Sequence, residues 1–217
     1  MDGLRILHEE EQFIVAYKPC GVLSEDRDKE EGMPALLRRH TGGGIYPVHR
    51  LDRTTQGLMV YAKTASCAAK LSAALQSGSL TKEYLAVVEG VPDESGQLSD
   101  LLYYDRKKGK SYVVTRQRRG VREARLSYSR LGTAEYAGSP ASLLRIALLT
   151  GRTHQIRVQF ASRRHPLVGD RRYGSAITAP NIALCSCTLT FPHPETGEIL
   201  TFSDYPTDEI FRRFEFQ

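Results

Sequence analysis

Apolar stretches in this sequence are short. The runs at Phe13–Tyr17, Leu58–Ala62, Tyr84–Val88, Ser111–Thr115, Leu143–Leu149 and Cys187–Phe191 are rich in β-branched and aromatic residues. Segments of that length and composition read as strands. Ala124–Tyr128 places Ala124, Leu126 and Tyr128 on one face and Arg125 and Ser127 on the other, the period-two mark of a strand with one wet face. Helical signals are fewer. Thr64 reads as an N-cap for Ala65–Ser77, which carries Ala68, Leu71, Ala74 and Leu75 at helical spacing before Gly78 stops it. Pro34–His40 and His154–Arg163 read as shorter helices, the second capped by Thr153, and Ile210–Phe216 as a terminal helical turn. Strands and helices do not alternate regularly. An α+β fold on a mixed, mostly antiparallel sheet therefore fits better than a doubly wound parallel sheet and is expected.

At 217 residues the chain is expected to form one domain, 1–217, with a core large enough to need neither disulfide nor metal. Cys20, Cys67, Cys185 and Cys187 suggest no disulfide scaffold, and Cys185 and Cys187 read as strand cysteines rather than zinc ligands. No stretch approaches the ~20 apolar residues of a membrane span. Glu9, Glu10 and Glu11 stand where a signal peptide would be basic and then apolar, so a cytoplasmic location and no membrane partner are expected.

Charge is unevenly placed. The net charge is +5, yet residues 105–130 hold ten Lys or Arg against two acids, a local +8 that leaves −3 for the rest. A second run holds Arg152, Arg157, Arg163, Arg164, Arg171 and Arg172, with Asp170 as its one acid. Of the 30 basic residues 22 are arginine, whose planar guanidinium suits bidentate phosphate contacts. Such concentration on a near-neutral body points to a nucleic-acid partner. Ser111–Thr115 and Ala124–Tyr128 are expected to pair as a hairpin whose long loop, Arg116–Arg122, projects the basic cluster.

Two segments carry candidate chemistry. In Tyr46-Pro-Val-His-Arg-Leu-Asp-Arg-Thr-Thr-Gln-Gly57, an extended stretch ends in Asp52, and Thr54, Thr55 and Gly57 read as turn residues before the next strand. Arg50 and Arg53 bracket the carboxylate, which favours its ionised form. A loop aspartate bonded to its own turn fits the same spacing. In Leu149-Thr-Gly-Arg-Thr-His-Gln-Ile-Arg157, a strand end passes through a glycine turn into a helix start. Arg152 would stand at the strand tip, and backbone N–H groups there could hold phosphate; a capped helix with a solvent-facing arginine reads equally well. His49 and His154 lack metal partners at ligand spacing and read as satisfied structural histidines. Gly42-Gly-Gly44 is neither a dinucleotide nor a P-loop motif, no GxSxG elbow exists, and a single well-placed Asp argues against ordinary glycoside hydrolysis.

Together these segments resemble the RluA-type RNA pseudouridine synthase family. The likeness lies in HRLD-x-x-T-x-G-L at His49–Leu58, K-x-Y-x-A at Lys82–Ala86 and G-R-T-H-Q-I-R at Gly151–Arg157. It continues through His165-Pro-Leu-Val-Gly-Asp170 and Tyr173-Gly174, with Tyr17-Lys-Pro-Cys-Gly21 before and Phe191-Pro-His-Pro-x-Thr-Gly197 after. The resemblance implies isomerisation of specific uridines in structured tRNA or rRNA to pseudouridine, with base flipping and no cofactor or metal. It makes Asp52 the essential aspartate, as nucleophile at C1′ or as base in a glycal-type route. Arg152 would pair with Asp52, Tyr84 would stack on the target base, and Arg50 would fill the space left by the flipped uridine. Leu184 would give the base or Asp52 an apolar contact. The basic residues Arg53, Arg116, Arg118, Arg119, Arg122, Arg157, Arg163 and Arg164 are expected to bind RNA, and the protein to act as a monomer. Gln56, Gln159, Arg164 and Cys185 depart from the family's usual Ser, His, Gly and His. The catalytic motifs begin at once, so targeting is expected to rest on this domain rather than on an S4 module. Rival readings are an RNA-binding or chaperone protein without catalysis, and a hydrolase of free nucleosides, on which the phosphate-binding arginines would be wasted.

Overall fold

The computed structural model describes residues 4–214, which form two compact units. The first comprises residues up to Lys82 together with Cys185–Tyr205. Its sheet begins with β1 (Arg5–Glu9) and β2 (Phe13–Lys18), antiparallel to each other. β3 (Tyr46–Pro47) and β2 both pair antiparallel with β4 (Gln56–Ala62). β4 is buried along its whole length, as its unbroken apolar run requires. β10 (Leu184–Pro192) runs parallel to β4 through Cys185↔Gln56 and Ser186↔Gly57, then pairs antiparallel with β11 (Ile199–Ser203). Two helices belong to this unit: α1 (Met33–Thr41) and α2 (Ala65–Ser77). α2 matches its sequence signals residue for residue: Thr64 Oγ1 accepts the Cys67 N–H at 3.1 Å, and Gly78 closes the helix in the left-handed conformation. Its buried Cys67, Leu71 and Ala74 pack with Phe13, Val15, Leu58 and Val60 from one face of β2 and β4, and with Leu189 and Phe191 of β10.

The second unit spans Glu83–Leu184 and the chain from Pro206. Its strands are β5 (Thr81–Glu89), β6 (Ser95–Asp105), β7 (Lys110–Val114), β8 (Val121–Tyr136) and β9 (Ser139–Leu148). All pair antiparallel, β5 with β9, β9 with β8, β8 with β6 and β6 with β7. α3 (Gln155–Ala161), a single 3-10 turn at Arg171–Tyr173 and α4 (Glu209–Arg212) complete it. Residues 215 and 216 of the expected terminal turn lie outside the described residues. The α+β class and the mixed, mostly antiparallel pairing are as the sequence predicts.

One pairing expectation is overturned. β7 and β8 do not form a hairpin, because β6 lies between them: its Leu101 faces Val114 on one side and Glu123 on the other. The sequence hides β6. Its buried residues, Leu98 and Leu102, are four apart, with Ser99, Asp100 and a half-buried Leu101 between them and Ser95, Gly96 and Gln97 before them. The 115–120 segment therefore connects two strands that flank a third.

Candidate active site

Asp52 sits on the connection between β3 and β4, and nearly every backbone group around it is held. Ser24 Oγ donates to the Leu51 carbonyl at 2.8 Å and accepts the Leu51 N–H at 3.0 Å. The Thr55 N–H closes a turn onto the Asp52 carbonyl at 2.9 Å, the Gly21 N–H donates to the Arg53 carbonyl at 2.8 Å, and Cys20 Sγ donates to the Thr54 carbonyl at 3.3 Å. Beneath the turn lies Lys18, wholly buried. Its ammonium donates to the carbonyls of Pro19 at 2.9 Å, Val22 at 2.8 Å and Arg53 at 3.2 Å, using all three hydrogens. Burial brings its pKa down to about 8, while the charges of Cys20 and Asp52 pull the other way. The turn thus presents its carboxylate from a rigid frame above a buried cation.

Three local expectations change here. Gly57 is not a turn residue but lies in β4 at φ +121°, where a Cβ would meet the Ser186 carbonyl oxygen at 2.3 Å. The motif's glycine lets β10 approach. The ion pairs of the bracketing arginines run to other acids: Arg53 Nη2 reaches Glu30 at 2.7 Å while its Nε donates to the Gly21 carbonyl, and Arg50 Nε lies 3.6 Å from Glu25. His49 is only half satisfied. Its Nε2 accepts the Val60 N–H at 3.2 Å, its buried Nδ1 has no partner, and desolvation first, then the charge of Lys82, holds its pKa well below the imidazole range. The ring is neutral and anchors the entry to the loop.

The second unit carries Tyr84, Leu184 and Arg152. Tyr84 is a buried residue of β5 opposite Ile146 of β9, and Leu184 is buried at the start of β10. Arg152 is exposed just past β9, its Nε donating to the Glu123 carbonyl at 2.9 Å. The corner that carries it is built by Gln155, which is 3% exposed. Its Oε1 accepts from Thr150 Oγ1 at 2.9 Å and from the Arg152 N–H at 3.0 Å, and its Nε2 donates to the Arg125 carbonyl at 3.0 Å. Ser111 Oγ holds the Thr153 carbonyl at 2.6 Å, and Tyr173 Oη meets His154 Nδ1 at 2.9 Å. His154, not Thr153, is the N-cap of α3, in the left-handed region at φ +55° and without a side-chain cap bond. The N–H groups of Arg152 and Gln155 are engaged internally and are not offered to a phosphate.

The expected RNA-contacting arginines divide. Arg116, Arg118, Arg119 and Arg122 are exposed, with the Arg118 guanidinium 4.7 Å above the Tyr103 ring. Arg164 is exposed as well. Arg163 makes two bonds to Asp100, at 2.9 and 3.1 Å. Arg157 is a correction: only 4% exposed, it forms a bidentate pair with Asp170 at 2.7 and 3.0 Å and lies 5.1 Å from the Tyr173 ring centre. A guanidinium so enclosed is not offered to a phosphate. Among the described residues no group of three or more His, Cys, Asp or Glu could hold a metal ion, and no helix is long and apolar enough to cross a membrane.

Residues 12–162 match the family model described as RNA pseudouridylate synthase. The chain belongs to that family. As a member it is an isomerase that converts uridine in RNA to pseudouridine. It is 29% identical to tRNA pseudouridine synthase C of Vibrio vulnificus strain CMCP6, over 98% of this chain and 96% of that one. It is 32% identical to the dual-specificity RNA pseudouridine synthase RluA of Escherichia coli strain K12, over 92% and 91%. The solved human RNA pseudouridylate synthase domain containing 1 shares the fold, with a TM-score of 0.82 at 24% identity, covering 94% of this chain and 84% of that one.

Seen as a pseudouridylate synthase, the chain's quoted motifs acquire physical roles that spacing did not reveal. Lys18 of the Tyr17–Gly21 segment is the cation beneath the Asp52 turn. Gln155, Arg157, Asp170 and Tyr173, drawn from three motifs, form the scaffold of the Arg152 corner. Two departures from the usual family pattern are also legible. Arg164 adopts φ +66°, a conformation glycine takes without strain. Gln159, fully buried, donates to Asp100 Oδ2 at 2.7 Å while its Oε1 has no partner.

Proposed function

We propose that Asp52 is the catalytic carboxylate of this pseudouridylate synthase, acting either as nucleophile at C1′ or as the base of a glycal-type route. The observation that carries this is the rigid turn: Lys18, Ser24, Cys20 and Gly21 hold the backbone of residues 51–54 from beneath and beside, which fixes where Asp52 stands. Chemistry at a glycosidic carbon needs a positioned carboxylate. The N1–C1′ bond breaks, uracil turns, C5 joins C1′, the C5 hydrogen leaves as a proton, and N1 gains one.

Tyr84 stacks on the uracil and helps remove the C5 proton, Leu184 gives an apolar contact, and Arg152 pairs with the catalytic carboxylate and orients it. Extruding a base costs a few kcal/mol, which stacking and a fitted pocket offset. Arg50 fills the vacated place in the RNA. Arg53, Arg116, Arg118, Arg119, Arg122 and Arg164 contact the backbone around a loop-like target, and Arg163 joins them by exchanging Asp100 for phosphate. Residues 1–217 act as one catalytic domain, as a monomer in the cytoplasm. The relatives named for tRNA and for dual-specificity modification support a tRNA or rRNA stem-loop as substrate.

The test is tritium release from C5-labelled uridine in bulk tRNA and, separately, in rRNA. Release from one pool, abolished by Asp52→Ala while RNA affinity persists, is expected. Undiminished release by the variant would remove Asp52 from its role.

A further inference from the structure

The arginines beside Asp52 are already paired with anions. Glu30 Oε1 lies 2.7 Å from Arg53 Nη2 and Glu25 Oε1 lies 3.6 Å from Arg50 Nε, and all four side chains are substantially exposed. Both acids come from residues 25–31, which hold Glu25, Asp26, Asp28, Glu30 and Glu31 against Arg27 and Lys29, a local −3 in a chain of net +5. This segment is built rather than loose. Arg27 and Glu30 exchange backbone bonds at 3.0 and 2.6 Å around Asp28, which takes φ +40°. Asp26 accepts the Gly32 and Ala35 N–H groups at the start of α1 and pairs with Arg38, and Glu31 pairs with Arg39 at 2.8 Å. Ser24, which opens the segment, is bonded to Leu51. The helix thus engages Asp26 and Glu31, and Glu25 and Glu30 remain directed at the arginines.

Stability does not account for these two pairs. Exposed ion pairs contribute little to stability. Their consequence is for a polyanion. Counting Glu25, Glu30 and Asp52 against Arg50 and Arg53, RNA approaching Asp52 meets a rim of net −1, although the rest of the chain is basic. A phosphate must compete with these carboxylates for the two guanidinium groups, and repulsive elements of this kind set how weakly a wrong partner binds.

We infer that Glu25 and Glu30 are specificity-determining residues that act as intramolecular competitors for RNA phosphate at Arg50 and Arg53. This rests on the reading that those arginines contact RNA, with Arg50 meeting backbone phosphate until a base is flipped and it enters the vacated place. The carboxylates subtract the generic phosphate contribution beside the active centre. Backbone contacts alone then do not retain an RNA, and an inserted base decides which RNA stays. The same competition returns the arginines to Glu25 and Glu30 as a product leaves.

The test is fluorescence anisotropy with a labelled 12-nucleotide oligoadenylate, which contains no uridine, across a range of salt concentrations. Glu25→Gln/Glu30→Gln should bind it about three- to tenfold more tightly at low salt, from the two lost ion pairs. The slope of log affinity against log salt should steepen by about 1.4, from two added phosphate contacts on a single strand. Unchanged affinity and slope overturn the inference. Arg50→Gln/Arg53→Gln separates it from the reading beneath it. If that variant binds uridine-containing tRNA and rRNA as wild type does, the arginines are not RNA contacts and the underlying reading fails. If it weakens binding while the glutamate variant changes nothing, only the competition fails. The quadruple variant gives a third arm: glutamate replacement that still tightens binding without the arginines is simple repulsion, and ion-pair exchange is overturned.

Discussion

The buried ammonium of Lys18 donates to the carbonyl of Arg53 at 3.2 Å, one residue past Asp52. Deprotonation leaves two N–H donors for three carbonyls, so the turn loosens when Lys18 loses its charge. With its pKa brought down to about 8, turnover should decline above about pH 8. Stability should move the other way. Between about pH 8 and the ordinary lysine range the unfolded chain binds the extra proton, so this group makes the folded state more stable as pH rises, by about 3 kcal/mol across the window. A rate falling above pH 8 while the Tm contribution of Lys18 does not fall identifies the turn; parallel loss of both would assign the decline to unfolding. Lys18→Met should lower kcat at least about tenfold, because buried carbonyls lose their donor.

Gln155 bridges Thr150, Arg152 and Arg125 with one amide. Gln155→Leu should leave those groups without a partner, destabilise the chain by about 1–3 kcal/mol and lower kcat more than it raises KM. Gln155→Glu keeps the acceptor for Arg152 but loses the donor for Arg125, and should lie between. Equal activity in all three proteins would show that the corner does not position Arg152.

Arg157 and Asp170 form a buried bidentate pair. Removing one partner of such a pair costs about 3–5 kcal/mol, since the other charge stays buried. Arg157→Gln should therefore unfold at much lower denaturant. At temperatures where it is folded, the salt slope of RNA binding should equal that of wild type. A flatter slope would restore Arg157 to the RNA contacts.

What the sequence reveals and what it hides follow from range. α2 is legible because its cap, apolar stripe and terminal glycine are all local. Asp52 is legible as a loop carboxylate between strands for the same reason, whereas the partners of its neighbours are not: Arg50 and Arg53 pair with Glu25 and Glu30, residues more than twenty positions away. β6 is hidden because its strand character depends on two partners, each supplied by later chain. Arg157 looks like its exposed neighbours until Asp170 lies against it. Gly57 has no local turn to explain it, and its reason arrives with Ser186 of β10. Lys18 lies within a family-like motif, but no periodicity places its ammonium under a turn 35 residues later.

Arg164 occupies φ +66°. That conformation costs a side-chain-bearing residue about 1 kcal/mol, which glycine avoids. Arg164→Gly should raise Tm by about 2 °C, the remaining gain after glycine's greater unfolded-state entropy. If Arg164 also contacts RNA, the same variant should bind RNA more weakly at low salt. A more stable protein with unchanged affinity would confine the residue to its turn.

The segment between β7 and β8 carries Arg116, Arg118 and Arg119 past β6, with Arg122 opening β8. Its connection is constrained, since it must travel from Val114 opposite Leu101 to Val121 opposite Tyr103. The Arg118 guanidinium lies over Tyr103 and leaves its edge and N–H groups to solvent, while Arg116 and Arg119 are exposed on either side. Four guanidinium groups with this exposure should each neutralise a phosphate. Replacing all four by glutamine should then flatten the slope of log affinity against log salt by about 2.8 on single-stranded RNA, at about 0.7 for each lost contact. At low salt the loss of affinity should be large, and at high salt it should shrink. Tyr103→Leu isolates the platform: it should disturb only the Arg118 contribution, flattening the slope by no more than about 0.7. A four-arginine variant with the wild-type slope would place the RNA elsewhere on this unit.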